Sequence, residues 1–396
     1  MKYYIIAGEA SGDLHGSNLM KGLYAQDPGA DIRFWGGDLM NGVFHAHQSG
    51  EGLVRDYRQT AVMGYLAVLM KSFAIARNVR ECQEDILAWK PDVVVLIDYP
   101  GFNFKIAEFA HNAGFRVFYY IAPKVWASRE GRIRKLKAYV DRLYIVFPFE
   151  KEYFASKGVP FTYVGNPLVD AVDGHPALSE SRADFLRRTS LPDAPLVALL
   201  AGSRSMEIGS MMPTFMQFAD LWHAEHPDCH FVVAAAPSRT MEDYRKYLGG
   251  RDFVHVVFGE TYGALRHAQA ALINSGTASL EAALIGTPQV VAYKVDPATA
   301  FVARRLIKVK YVSLANLILD RPAFREFLQE DFTLENLVGE MRRITEDTAY
   351  RQAMLDDYAR VRILLGGTGA SNAVARAMVE ELSPRRPKAD TGGLGD

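Results

Sequence analysis

Apolar residues recur along this chain in short runs, each followed by a longer stretch with helical spacing. The first set of runs covers residues 3–7, 32–35, 93–97, 117–121 and 143–147. Short apolar runs that alternate with helical periodicity predict a mostly parallel sheet with helices on both faces. The pattern then restarts, with runs at 196–200, 231–235, 254–258, 271–273 and 290–293. Two such sets predict an α/β protein of two Rossmann-like domains facing across a cleft. Gly165 and Pro167 interrupt the pattern and mark the boundary, giving domains at 1–165 and 166–349. Helical patterns within 350–382 are expected to complete the first domain. Residues 384–396, rich in turn formers and without apolar period, are expected to be a disordered tail.

The second set centres on Ala270-Ala-Leu-Ile-Asn-Ser-Gly-Thr-Ala-Ser-Leu-Glu281. A buried strand breaks at Asn274, Ser275, Gly276 and Thr277, and a helix former follows. Such a turn leaves free amides at the helix start, where the dipole also favours phosphate. Thr277 is placed to cap this helix, and Glu281, one turn in, to accept from a ribose hydroxyl. Read alone, the stretch fits a plain capped helix in an α/β core equally well. A second turn shifts the balance. Gly202, Ser203 and Arg204 follow the run at 196–200 and offer backbone and hydroxyl donors with a bidentate guanidinium. Two such turns in one domain suit a nucleoside diphosphate. Lys294, Arg304 and Arg305 add positive charge, and Ser313-Leu-Ala-Asn316 is a further polar turn.

In the first set, Gly8, Gly12 and Gly16 are spaced by four, which is not the G-x-G-x-x-G dinucleotide fingerprint. That spacing puts Gly12 and Gly16 on one helical face and allows close approach to the sheet. Glu9, Ser11 and Asp13 then crowd the carboxyl end of the first strand, where α/β sheets bind ligands. Acidic groups repel a pyrophosphate and suit sugar hydroxyls; the rival reading is a capped helix with solvated carboxylates. The run at 93–97 ends in Asp98 and continues Tyr99-Pro-Gly-Phe-Asn103. A carboxylate there faces a ligand crevice as a base or an orienter, while an Asx turn is the competing account. Residues 61–76 carry a single charge, Lys71, and suit a core helix or one lying against lipid or acyl chains. Lys124, Arg129, Arg132, Arg134, Lys135 and Lys137 stand against Glu130, with Trp126, Tyr119 and Tyr120 nearby. Such a run is usually a solvated face, and it also attracts anionic lipid or a substrate phosphate.

At 396 residues the chain is long enough for two domains, and 49% hydrophobic with 23% charged residues describes a globular protein. A net charge of −1 gives no field for nucleic acid, and no stacking aromatics recur along a strand. Cys82 and Cys229 lie far apart, so neither a disulfide framework nor a zinc site is expected. Asp-x-Asp does not occur, which speaks against a divalent metal. No cofactor is expected, and leaving-group charge falls to Arg204 and the helix termini. The amino terminus runs straight into Gly8, too short for a signal peptide, and no run reaches the roughly 20 apolar residues of a membrane span. A cytoplasmic protein is expected.

Several of these segments together are similar to a known family. Ala7-Gly-Glu-Ala-Ser-Gly-Asp13, Met63-Gly64, Ile97-Asp98-x-Pro100, Phe102-Asn103 and Pro123-x-Val-Trp-Ala127 come first. Phe147-Pro-Phe-Glu150, Gly202-Ser-Arg204, Ser275-Gly-Thr-Ala278 with Leu280-Glu281, and Tyr311-Val-Ser-Leu-x-Asn316 follow in order. They resemble the lipid-A-disaccharide synthase family from residue 3 to about residue 330. Three positions depart from its pattern: Ala201 replaces a proline, Gly101 an acidic residue, and Ala67 a glutamate.

The resemblance implies a GT-B fold and an inverting, metal-independent glycosyltransferase of lipid A biosynthesis. Such an enzyme joins UDP-2,3-diacylglucosamine to 2,3-diacylglucosamine 1-phosphate (lipid X), forming the β-1,6-linked disaccharide phosphate and UDP. It implies a peripheral protein at the cytoplasmic face of the inner membrane, with 61–76 against lipid or acyl chains, and leaves oligomer formation open. In that frame UDP lies between Gly202, Ser203 and Arg204 and the Ser275, Gly276, Thr277 helix start. Glu281 holds the ribose and Asn316 lines the same side. The acceptor lies near Glu9, Ser11, Asp13 and Met63, and Asp98 takes its proton. A UDP-sugar 2-epimerase of the same fold and a non-catalytic nucleotide-sugar-binding module are the alternatives; a dehydrogenase is a weak third.

Overall fold

The structure is a computed structural model that describes residues 1–60, 67–127, 129–237, 239–295 and 309–383, leaving aside the side chains of residues 60 and 67–74. The apolar runs become the strands of two sheets. The first contains β1 (Lys2–Ala7), β2 (Asp31–Gly36), β3 (Leu53–Asp56), β4 (Val93–Ile97), β5 (Arg116–Tyr120), β6 (Arg142–Ile145) and β7 (Thr162–Tyr163), in the order β3-β2-β1-β4-β5-β6-β7. The second contains β8 (Leu196–Leu200), β9 (His230–Ala235), β10 (Val254–Phe258), β11 (Ala270–Asn274), β12 (Gln289–Tyr293) and β13 (Glu326–Leu328), in the order β10-β9-β8-β11-β12-β13. Pairing is parallel, with Ala7 opposite Ile97 and Leu200 opposite Ile273. All residues of β4, β8 and β11 are buried, as strands covered on both faces must be. Both sheets reverse their winding between the first and fourth strands, at β1/β4 and at β8/β11, and a ligand crevice opens at such a point.

Three strands escape the apolar pattern: β3, β7 and β13. Each is short, half-buried and without a continuous apolar run, so no periodicity announces it.

The chain divides into two compact units. One holds Met1–Pro123, Lys135–Tyr144 and the chain from Gly369 onward; the other holds Lys124–Arg134 and Ile145–Thr368. The division therefore falls before residue 165. Residues 145–166 are fastened to the second unit by buried polar contacts: Asn166 donates from Nδ2 to the Val146 carbonyl (2.8 Å) and accepts from the Leu168 amide (2.9 Å). The two carboxyl-terminal helices also part company. Thr348–Leu365 packs on the helices Thr277–Ile285 and Leu334–Glu346 of the second unit, and only Ala370–Leu382 lies on the first-unit helix Ala10–Gln26. Glu381 fixes its end by accepting from Arg116 (2.9 Å) and Arg142 (2.8 Å). The stretch 61–66, including Met63 and Gly64, lies outside the described residues, as do Arg304, Arg305 and the expected tail 384–396. Among the described residues no helix is long and apolar enough to cross a membrane.

Glycine makes the helix Ala10–Gln26 fit on both sides. A Cβ at Gly12 would lie 3.2 Å from the Ala7 Cβ, the expected close approach to the sheet, and one at Gly16 would lie 2.6 Å from the Met40 sulfur. A Cβ at Gly22 would lie 2.8 Å from the Ala375 Cβ on the returning helix. Gly22→Val is accordingly expected to lower the urea-unfolding free energy by about 1–3 kcal/mol through overpacking. An unchanged midpoint would show that Ala370–Leu382 does not seat on this face.

Candidate active site

In the second unit, both expected turns arise at the winding reversal, after the adjacent strands β8 and β11. Gly202 has φ +102°, and a Cβ there would lie 2.5 Å from Asn274 Nδ2 and 2.5 Å from Glu207 Oε2. Only glycine permits both the conformation and the approach. The helix Ser205–Glu225 then begins. Its turn is already satisfied internally: Glu207 Oε2 accepts from the Ser203 amide (2.9 Å) and the Arg204 amide (3.1 Å), and Oε1 accepts from Arg204 Nη1 (3.2 Å). Arg239 clamps the other side, donating to the Ser203 carbonyl (2.8 Å) and the Ser205 hydroxyl (2.7 Å). The backbone donors expected to meet phosphate here are thus taken by Glu207, while the side chains of Ser203 and Arg204 stand exposed. An Arg-x-x-Glu spacing at a helix start was the available signal, since the third helical residue is where a capping carboxylate belongs.

The second turn differs. The helix Thr277–Ile285 has Gly276 as its N-cap without any side-chain cap bond, so Thr277 is the first helical residue and does not cap it. The amides of Gly276, Thr277 and Ala278 meet no protein acceptor among the described residues. Among the described residues a Cβ at Gly276 would meet no atom within 4 Å, which leaves room there for an anion at the positive helix end. The buried hydroxyl of Ser279 donates to the Gly276 carbonyl (2.8 Å) and holds the turn. Glu281 is half-buried, one of its oxygens accepting from the Tyr262 hydroxyl (2.8 Å). Burial raises its pKa, and the Tyr262 hydrogen bond only partly opposes that.

Asn316 does not line this site. It is fully buried: Nδ2 donates to the Phe324 carbonyl (3.1 Å) and to Glu326 (2.9 Å), and Oδ1 accepts from the Ala323 amide (2.7 Å). Glu326 also accepts from the amides of Val312 (3.0 Å) and Ser313 (2.8 Å). Asn316 and Glu326 together fold the loop that the polar turn announced.

In the first unit, Asp98 follows β4 beside the end of β1. Asp98 and Tyr99 both adopt left-handed backbone, with φ of +42° and +47°. Neither is glycine, and each such conformation costs about 1–3 kcal/mol unless its surroundings impose it. They do. The Asp98 carbonyl accepts from the Tyr119 hydroxyl (2.6 Å) and Asn103 Nδ2 (2.8 Å), while its amide donates to Tyr120 (3.2 Å). The Tyr99 ring lies on Gly8, where a Cβ would come within 2.3 Å of it. Asp98 is half-buried, and Glu9 and Ser11 are exposed at the neighbouring strand end. Asp13 is elsewhere engaged. It is buried, and its carboxylate accepts from the amides of Gly37 (2.7 Å), Leu39 (3.1 Å) and Met40 (3.1 Å), capping the helix Asp38–His47. Burial raises its pKa against those three bonds.

Glu150, at the end of Phe147-Pro-Phe-Glu150, is a buried carboxylate for which sequence reading supplied no role. It accepts from Trp126 Nε1 (3.0 Å) and from the amides of Val146 (3.1 Å) and Phe147 (3.0 Å). These contacts tie residues 124–134 to the strand end at 145–147 within the second unit. Burial outweighs the donors and pushes its pKa up to about 7.

Comparison with known proteins places this geometry. Residues 3–378 match the family model described as Lipid-A-disaccharide synthetase. The chain belongs to the lipid-A-disaccharide synthetase family. The lipid-A-disaccharide synthase of Myxococcus xanthus is 37% identical over 384 residues, covering 96% of this chain and 98% of its own length. That of Geobacter metallireducens is 36% identical over 383 residues, covering 96% and 97%. Among solved structures, the UDP-GlcNAc 2-epimerases of Methanocaldococcus jannaschii (TM-score 0.66, 14% identity, covering 96% of this chain and 100% of that one) and Neisseria meningitidis (TM-score 0.63, 12% identity, 96% and 100%) share the fold. At that identity the likeness concerns architecture, two Rossmann-like domains of GT-B type, and leaves chemistry to the family. Membership in the lipid-A-disaccharide synthetase family makes the chain a glycosyltransferase of lipid A biosynthesis.

The burial of Glu150 predicts a pH dependence of stability. A carboxyl raised from 4.5 to about 7 on folding stabilises fully below pH 4.5, and that contribution is lost as pH rises through 7. The loss is at most about 3 kcal/mol. Urea unfolding between pH 5 and 8 should show wild type losing stability relative to Glu150→Gln; parallel curves would mean that Glu150 titrates as an ordinary carboxylate.

Proposed function

We propose that the chain transfers a diacylglucosaminyl group from UDP to the 6-hydroxyl of 2,3-diacylglucosamine 1-phosphate, with inversion. The acceptor oxygen bonds to the anomeric carbon as the bond from that carbon to UDP breaks. The hydroxyl proton goes to Asp98, and the bonding pair leaves with UDP. Asp98 suits this role because an enforced, costly backbone conformation holds it half-buried at a winding reversal. Exposed Glu9 and Ser11 at the same strand ends suit acceptor hydroxyls; Asp13 shapes their surroundings through the helix it caps. Met63, outside the described residues, stays assigned to the acceptor by resemblance alone.

The UDP site belongs to the second unit. The open amides of Gly276, Thr277 and Ala278 at a positive helix end suit a diphosphate, with Ser275 beside them. Ser203 and Arg204 contribute through side chains, and Glu281 meets the ribose with the oxygen that Tyr262 leaves. The helix end and the arginine together neutralise the leaving diphosphate in this scheme. In a member of this family, the open helix start beside an exposed arginine is the observation that carries the reading. We place the enzyme at the cytoplasmic face of the inner membrane because both substrates are acylated; the apolar stretch 61–76, of which 61–66 lie outside the described residues, stays assigned to lipid or acyl chains by resemblance alone. An oligomeric form is compatible with this scheme. An epimerase needs no second, acylated substrate, and family membership disfavours it.

Incubating the purified chain with the two acylated sugars should give the tetraacyl disaccharide phosphate by mass spectrometry. Asp98→Asn is expected to lower kcat by about a hundredfold or more, as loss of a general base does, with UDP affinity within a few-fold of wild type. Arg204→Ala should weaken UDP binding about tenfold or more, as loss of a charge-assisted pair would. Near-normal turnover by Asp98→Asn would remove it from the base role.

A further inference from the structure

Glu207 stands in the turn where the diphosphate would arrive, and the scheme above gives it no task. Its two oxygens take the amides of Ser203 and Arg204 and the Arg204 guanidinium. This is the set of partners that a phosphate oxygen at a strand-to-helix turn would claim. The carboxylate is well fixed, its side chain 23% exposed, whereas the Arg204 side chain is 68% exposed. Asn274, at the end of β11, and Glu207 both crowd the position of a Gly202 Cβ. Tyr293, at the end of β12, senses the same pair: after burial, the Glu207 charge raises its hydroxyl pKa and Arg204 lowers it.

We propose that Glu207 is a resident anion of the nucleotide site, a positioning residue that holds Arg204 while the site is empty and competes for it when a nucleoside diphosphate binds. This rests on the reading that the second unit binds UDP. An incoming phosphate competes for the guanidinium, while the carboxylate stays on its two amides and opposes the added negative charge. UDP is therefore bound less tightly than the arginine and helix end alone would allow, and product leaves sooner. The turn keeps its shape throughout, because Glu207 and Arg239 fix it from both sides.

Calorimetric titration of the full chain with UDP tests this. Glu207→Gln, which removes the charge and keeps an acceptor, is expected to bind UDP about five- to tenfold tighter. The gain should shrink at high salt and be smaller in an Arg204→Ala background. In steady state, kcat and KM should fall together, as when product release slows. Glu207→Asp keeps the charge and should not tighten binding. Equal or weaker UDP binding by Glu207→Gln overturns the proposal, whether its Tm is unchanged or lowered, the latter marking a plain helix cap. Failure of wild type to bind UDP sinks the nucleotide reading instead.

Discussion

Where a parallel sheet reverses its winding, two neighbouring strands send their chains to opposite faces, and no connection covers their carboxyl ends. This protein meets that constraint twice. At β1/β4 it exposes Glu9, Ser11 and Asp98; at β8/β11 it brings Gly202 against Asn274 and opens the Gly276 helix start. Each crevice is then tuned by what its turn residues do with backbone polarity. The first gathers carboxylates and forces Asp98 and Tyr99 into left-handed backbone. The second offers a positive helix end and an arginine. Under the proposed function, the first crevice would supply the proton acceptor and the second would take the departing negative charge.

Carboxylates do two opposed jobs here, and local geometry separates them. Asp13, Glu150, Glu207 and Glu326 each accept from two or more backbone amides, so they are structural anions that replace water or ligand at chain ends. Their cost is desolvation, visible in the raised pKa of Asp13 and Glu150. Asp98 is the contrast. Its backbone carbonyl and amide make bonds that fix the turn, and the side chain is only half-buried.

The same contrast explains what could be read from residues alone. The buried strands were legible because continuous apolar runs have no other stable use, and the edge strands β3, β7 and β13 were not, being short and half polar. The two turns of the second unit were legible as strand–glycine–helix corners. The identity of the groups meeting a ligand was harder. Asp13 and Asn316 have side chains suited to ligand hydroxyls, yet both are turned inward onto amides and carbonyls. Sequence spacing gives a donor or acceptor its neighbourhood but not its partner. That is fixed by long-range contacts such as Asp13 to Gly37 or Asn316 to Phe324. Likewise Ala370–Leu382 and Thr348–Leu365 read as similar helices; Gly22 facing Ala375 is part of what sends one of them back to the first unit.

The unequal state of the two phosphate turns carries the argument one step further. Had both corners kept open amides beside Arg204, the second unit would present a concentrated positive pocket, suited to holding a diphosphate and poorly suited to releasing it. Binding energy that persists equally in substrate, transition state and product does not raise turnover. Closing one corner with Glu207 leaves the helix at Gly276 as the main fixed donor set and makes the Arg204 contribution conditional on a charge it must leave. If UDP binds as proposed, stabilisation would be concentrated where the leaving oxygen develops negative charge and weakened for the free product. A carboxylate at a phosphate corner, which looks like an electrostatic error in isolation, is consistent with an enzyme that must let UDP go.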